Sequence, residues 1–147
     1  MTDFIVDASV AVKWVIAEAE ADRAVALRRF RLAAPDLIIA EVGNVLWKKV
    51  RRQEITAEVA ILAARAMELV EIELVPMRAL LAKAARCALA LNHPVYDCLY
   101  VCLADDRGIP FVTADARLRQ KLSISAYEVA ADANVLSLEQ AARRDAG

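Results

Sequence analysis

Phe4-Ile5-Val6-Asp7-Ala8-Ser9 places three apolar residues, two of them β-branched, directly before an acid. Such a run predicts a short buried strand. Val10 to Ile16 then reads as a helix, so Asp7 stands where a strand gives way to a helix. In open α/β sheets, ligands bind beyond the carboxyl ends of the strands. The pattern recurs late in the chain as Pro110-Phe111-Val112-Thr113-Ala114-Asp115. Two carboxylates at the ends of two strands, far apart in sequence, outline a site.

Between them, strands and helices alternate. Glu18 to Arg31 is predicted as one amphipathic helix, and Ala33-Ala34-Pro35 as a brief strand. A long helix follows from Leu37 to Arg52, with Ile38, Val42, Val45, Leu46 and Val50 as its apolar stripe. Glu41, Asn44 and Lys48 share one flank of that stripe, and Glu41 is a third candidate acid. Thr56 is a cap for a helix from Val59 to Leu69. Ile72 to Val75 is a strand ended by Pro76, and Arg78 to Leu91 is an alanine-rich helix. Asn92-His93-Pro94 interrupts the helical pattern, with Pro94 at the start of the next helix.

That next helix, Val95 to Arg107, carries only apolar, aromatic or cysteine residues up to Ala104, except for Asp97. A helix apolar all round is a buried helix. Asp97 is therefore expected to be a buried carboxylate, costly unless it is paired or holds a metal. Its plainer role is to complement the positive end of the helix. Arg117 to Leu122 is a short helix. A last strand falls at Tyr127–Ala130 or at Val135–Leu138, before a helical tail from Glu139 to Arg144. Strands alternating with helices imply an α/β fold, a parallel sheet covered on both faces. The length fits a single domain spanning residues 1–147.

Composition removes several function classes. The chain is 59% hydrophobic, yet no stretch approaches the ~18–20 apolar residues of a membrane span. No basic segment followed by an apolar core marks the N-terminus as a secretory signal, so a cytoplasmic protein is expected. The apolar excess implies a large core, or a core plus a surface for a partner. The net charge of −1 gives no global attraction for nucleic acid. Basic residues do cluster locally, as Lys48-Lys49 with Arg51-Arg52. With glycine only at 43, 108 and 147, neither G-x-G-x-x-G nor a phosphate-binding P-loop can be written. Cys87, Cys98 and Cys102 with one histidine make no ordinary four-ligand zinc set, and reduced core thiols are expected. The single His93 excludes a two-histidine nuclease. Catalysis is left to carboxylates and metal.

Asp7, Glu41, Asp97 and Asp115 are four acids at strand ends or in early helical turns. Clustered carboxylates repel unless a cation offsets them. Oxygen donors suit Mg²⁺ or Mn²⁺, which activate water and stabilise the leaving oxygen in phosphodiester cleavage. The segments around them, F-I-V-D-A-S at 4–9, A-E-V-G-N at 40–44, Y-D-C-L-Y at 96–100 and T-A-D-A-R-L at 113–118, resemble the four motifs of PIN-domain ribonucleases. The nearest resemblance is to the VapC toxins of toxin–antitoxin pairs, and it spans nearly the whole chain.

The resemblance implies a PIN-like three-layer α/β/α sandwich with a short central parallel sheet. It implies a magnesium-dependent endoribonuclease, homodimeric and restrained by a cognate antitoxin protein. Asp7 and Asp97 take the places of the principal metal ligands, and Glu41 and Asp115 complete the acidic pocket, the latter pair through water. Ser9, Asn44 and Thr113 match polar supporting positions. Ala116-Arg117-Leu118 supplies no further acid for a second metal. Lys48 and Arg52, one helical turn apart, are the residues placed to touch RNA phosphates.

Three other readings are weaker. A haloacid-dehalogenase-type, magnesium-dependent phosphatase needs an acid where Ser9 stands. A receiver domain needs a phosphoacceptor where Leu74-Val75-Pro76 stands. A catalytically weak PIN domain that binds RNA or protein would most simply lack one of the acids, and none is missing.

Overall fold

The computed structural model describes residues 1–123 and 134–144. Strand β1 is Phe4–Val6, followed by helix α1, Ala8–Val15. Helix α2, Ala21–Ala26, runs into a 3₁₀ turn at Leu27–Arg29. Strand β2 is Leu32–Pro35, and helix α3 is Leu37–Arg51. Helix α4, Ala57–Glu68, is capped by Thr56, whose side chain accepts from the Val59 N–H as the sequence suggests. Strand β3, Glu73–Val75, leads through a 3₁₀ turn at Met77–Leu80 into helix α5, Leu81–Leu91. Helix α6 is Val95–Arg107, strand β4 Phe111–Val112 and helix α7 Ala116–Ser123. Strand β5, Val135–Leu136, precedes helix α8, Leu138–Ala142. Of the two segments proposed for the last strand, Val135–Leu138 contains β5, and Tyr127–Ala130 lies outside the described residues.

The five strands form one parallel sheet in the order β3-β2-β1-β4-β5. β1 is central. Ile5 aligns with Ala33 on one side and Phe111 on the other. All three residues of β1 are buried, as a strand covered on both faces requires. Helix α6 lies on β1 and β2 with α5 behind it, and α1 packs with α2, α3 and α4. The arrangement is an α/β/α sandwich with a short parallel sheet. The chain leaves β1 toward β2, and β4 later returns to the opposite side of β1. The carboxyl ends of β1 and β4 therefore flank a topological switch point, where α/β sheets open a crevice.

Two expectations change. Glu18–Arg31 is not one helix. Glu20 caps α2 in the left-handed region, with φ 64°, and the indole N–H of Trp14 reaches the Ala24 carbonyl at 2.8 Å. Docking on α1 fixes a shorter helix than periodicity suggested. Asp97 is not a buried acid either. Cys98 through Ala104 are buried, but the first turn of α6 emerges at the crevice, and the Asp97 side chain is 32% exposed. Cys87, Cys98 and Cys102 are buried free thiols. Among the described residues, no single helix is long and apolar enough to cross a membrane.

Ile5 has no exposed surface at the centre of the sheet. Truncation there leaves a cavity, so Ile5→Ala should cost about 2–5 kcal/mol and Ile5→Val about 0.5–1.5 kcal/mol. Urea midpoints measure both. An unchanged midpoint for Ile5→Ala contradicts the placement of β1.

Candidate active site

A cleft of about 440 Å³ opens at the carboxyl end of the sheet, and Asp7, Glu41, Asp97 and Asp115 all line it. Ser9, Asn44, Lys48 and Tyr96 line it too. The four acids arrive from four segments: the end of β1, the second turn of α3, the first turn of α6, and the loop after β4.

Asp7 is the most constrained. It caps α1, its carboxylate accepting from the Ser9 N–H at 3.1 Å and from the Ser9 hydroxyl. The Thr113 hydroxyl donates to its other oxygen at 2.6 Å. Ser9 in turn accepts from the Ala114 N–H at 2.8 Å, tying the start of α1 to the loop after β4. Of the three residues read from the sequence as supporting, Ser9 and Thr113 thus touch Asp7 directly, whereas Asn44 lines the cleft without a bond to it. Burial pushes the Asp7 carboxyl up to about 6. The Ser9 and Thr113 hydrogen bonds pull it down, and the charge of Asp97 pushes it further up.

Glu41 is partly buried. Burial raises its carboxyl, the hydrogen bond from Tyr100 lowers it, and the charge of Asp97 raises it again. Asp97 therefore lies within electrostatic reach of both Asp7 and Glu41. Asp97 is held by His93, whose Nε2 lies 2.6 Å from its carboxylate, one helical turn away. Asp115 is exposed and caps α7, accepting from the Arg117 N–H at 3.0 Å and the Leu118 N–H at 3.1 Å. Asn44 and Lys48 are exposed on the rim.

Arg52 is not among the residues that line the cleft; it ends α3 beyond the Lys48 turn. Its neighbours in the basic cluster are already engaged. Lys49 pairs with Glu18 at 2.6 Å and Glu54 at 3.4 Å, and the Arg51 guanidinium lies 5.1 Å from the centre of the Trp47 ring.

The sequence reading missed two residues. Tyr100 is fully buried and donates its hydroxyl to Glu41 while its ring stacks on Phe111 at 5.8 Å. Its signal was available, because a buried tyrosine hydroxyl needs a partner. The sequence reading uses His93 only as a helix break and for what its solitude excludes, although it stands four residues before Asp97, just outside α6, within reach of that carboxylate.

The donor set is all oxygen, which suits a hard divalent cation. Among the described residues, no three His, Cys, Asp or Glu side chains stand close enough together to hold one ion. Hydrogen bonds from Ser9, Thr113, Tyr100 and His93 hold the acids around the cleft. Mg²⁺ does not need three, since it commonly keeps several waters and takes one or two carboxylates plus substrate phosphate. The residues present fit that requirement.

Asp7 also makes a prediction about stability. Its proton is held more tightly folded, at about 6, than unfolded, at 3.8. Its contribution is most favourable below the unfolded value, where both states are protonated. It is lost as pH rises through about 6, at a cost on the order of 3 kcal/mol. With metal chelated, Asp7→Asn should stabilise the fold by about 1–3 kcal/mol at pH ~7.5, and the gain should shrink toward zero near pH ~4. Denaturant midpoints of both proteins at the two pH values test this. A variant less stable than the wild type at the higher pH contradicts it.

The PIN domain family model matches residues 4–121. The crystal structure of PAE2754 from Pyrobaculum aerophilum aligns with a TM-score of 0.68 and 23% sequence identity, over 96% of this chain and 93% of that one. At that identity the likeness shows a shared fold. No curated protein matches the chain in sequence.

Proposed function

The chain belongs to the PIN-domain family, and on that premise we propose that it is a magnesium-dependent endoribonuclease, the toxin of a VapC-like toxin–antitoxin pair. PIN domains are in general metal-dependent nucleases. The observation that carries the reading is the convergence of Asp7, Glu41, Asp97 and Asp115 on one cleft at the switch point of the sheet. Residues 1–147 are read as a single cytoplasmic PIN domain acting as a homodimer. The exposed Trp47, Ile61 and Leu62 support a protein partner, another copy or an antitoxin.

Asp7 and Asp97 would hold the cation, with Glu41 and Asp115 reaching it through water, and Mn²⁺ would serve in place of Mg²⁺. When bound, such an ion lowers the pKa of a water and stabilises charge on the leaving oxygen. The chain's own residues do the rest. Ser9 and Thr113 fix the Asp7 carboxylate, so no reorganisation is needed when charge develops. Glu41, raised by burial and not a direct ligand in this reading, would accept a proton from the attacking water. Lys48 and Arg52 offer positive charge along one side of α3 to RNA phosphates.

Cleavage of RNA should require Mg²⁺ or Mn²⁺ and stop in EDTA. Asp97→Asn should cut the rate at least ~100-fold while the protein stays folded. A gel assay of purified protein with structured RNA reads both effects. Activity that persists in chelator, with contaminating nuclease excluded, contradicts the mechanism.

Binding should also depend on salt. Each phosphate contact to single-stranded RNA contributes about 0.7 to the slope of log affinity against log salt. Removing Lys48 and Arg52 together should flatten the slope by about 1.4. An unchanged slope in anisotropy titrations returns both residues to the solvated end of α3.

A further inference from the structure

Tyrosines flank Asp97 on α6, and they are placed in opposite ways. Tyr100 is fully buried, with its hydroxyl on Glu41. Tyr96 lines the same cleft as the four acids but is 57% exposed. The core does not need its ring, which adds apolar surface at the mouth of an acidic cleft. Lys48, from α3, lines that cleft as well. Among the described residues Lys48 has no carboxylate partner, whereas Lys49 beside it is engaged by Glu18 and Glu54. One mouth therefore presents an aromatic face, a free ammonium and a set of carboxylates.

We infer that Tyr96 is a stacking platform for a nucleobase next to the scissile phosphate of single-stranded RNA, with Lys48 holding a phosphate of the same strand. The inference rests on the ribonuclease reading and deepens it by naming the side chain that grips a base of the substrate. Without a cation the acids repel a phosphodiester, so affinity in the metal-free protein comes from the rim. A base offers a π-face whatever its identity, and aromatic side chains bind unpaired bases through that face with little sequence preference. A base stacked within a duplex has no free face for the ring. Tyr96 therefore selects loops and single strands over helices, the usual targets of sequence-reading RNA proteins. Its place directly before Asp97 puts the platform one residue from a carboxylate of the reacting centre.

The test compares wild type, Tyr96→Ala, Tyr96→Phe and Tyr96→Leu for binding two labelled probes. One probe is a single-stranded RNA of mixed sequence; the other is an abasic ribose-phosphate strand of equal length. Tyr96→Ala and Tyr96→Leu should weaken RNA binding roughly ten-fold, and Tyr96→Phe, which keeps the ring, about two-fold or less. The abasic strand should bind the wild type and all three variants alike. Leucine keeps apolar bulk without a π-face, so it answers the question even if the alanine variant fails to fold. Equal RNA affinity for wild type and Tyr96→Leu overturns the proposal. So does an equal loss on the abasic strand, which reports a structural or electrostatic effect instead. Cleavage by the wild type in Mg²⁺ is scored separately. If base-dependent binding through Tyr96 is found without cleavage, the ribonuclease reading fails and the RNA platform stands. Cleavage without any dependence on Tyr96 sinks the platform alone.

Discussion

Asp7 carries an acid to a place that water barely reaches, at the end of a strand hydrogen-bonded on both sides. Burial alone would discharge it; the hydroxyls of Ser9 and Thr113 and the N–H of Ser9 oppose that. Those bonds also set the geometry around it. Thr113 follows β4, so its bond to Asp7 ties the two strands together beyond their last paired residues. Ser9 begins α1 and accepts from the loop after β4. The switch point is therefore cross-linked by the same groups that hold the acid. A site built on strand and helix ends in this way is more rigid than one carried on loops.

The remaining acids show the same division of labour. Tyr100 holds Glu41, His93 holds Asp97, and backbone N–H groups hold Asp115. The cost is electrostatic. Asp97 pushes the carboxyls of both Asp7 and Glu41 up, so the cluster opposes folding until a cation offsets it. Strain of this kind is expected where function has been placed ahead of stability. The fully apolar body of α6 contributes in the other direction, burying seven consecutive residues from Cys98 to Ala104 and anchoring the turn that presents Asp97.

Local pattern carried most of the fold. An apolar β-branched run followed by an acid was enough to place β1 and β4; helical period placed α3, the Thr56 cap placed α4, and the break at Asn92-His93-Pro94 placed the start of α6. The four acids were legible for a similar reason, because each sits at a strand end or in an early helical turn that its neighbours define. Apart from His93 beside Asp97, what escaped depended on distant partners. Thr113 meets Asp7 across 106 positions and Tyr100 meets Glu41 across 59, so no spacing rule connects them. The broken Glu18–Arg31 segment is similar, since the Trp14 indole decides where α2 can run. The all-round apolar character of α6 does bury Cys98 to Ala104, yet it wrongly carries burial through to Asp97. Helix ends emerge from a core even when the sequence stays apolar.

Whether the four acids are a cation site can be seen directly. Crystals grown with Mn²⁺ and measured at a wavelength where manganese scatters anomalously locate the ion without reference to any assay. A peak in the cleft bonded to the carboxylates of Asp7 and Asp97, and absent from Asp97→Asn crystals, is the expected result. At saturating Mn²⁺, a cleft with no peak, or the same peak in the variant, contradicts a cation held by these acids.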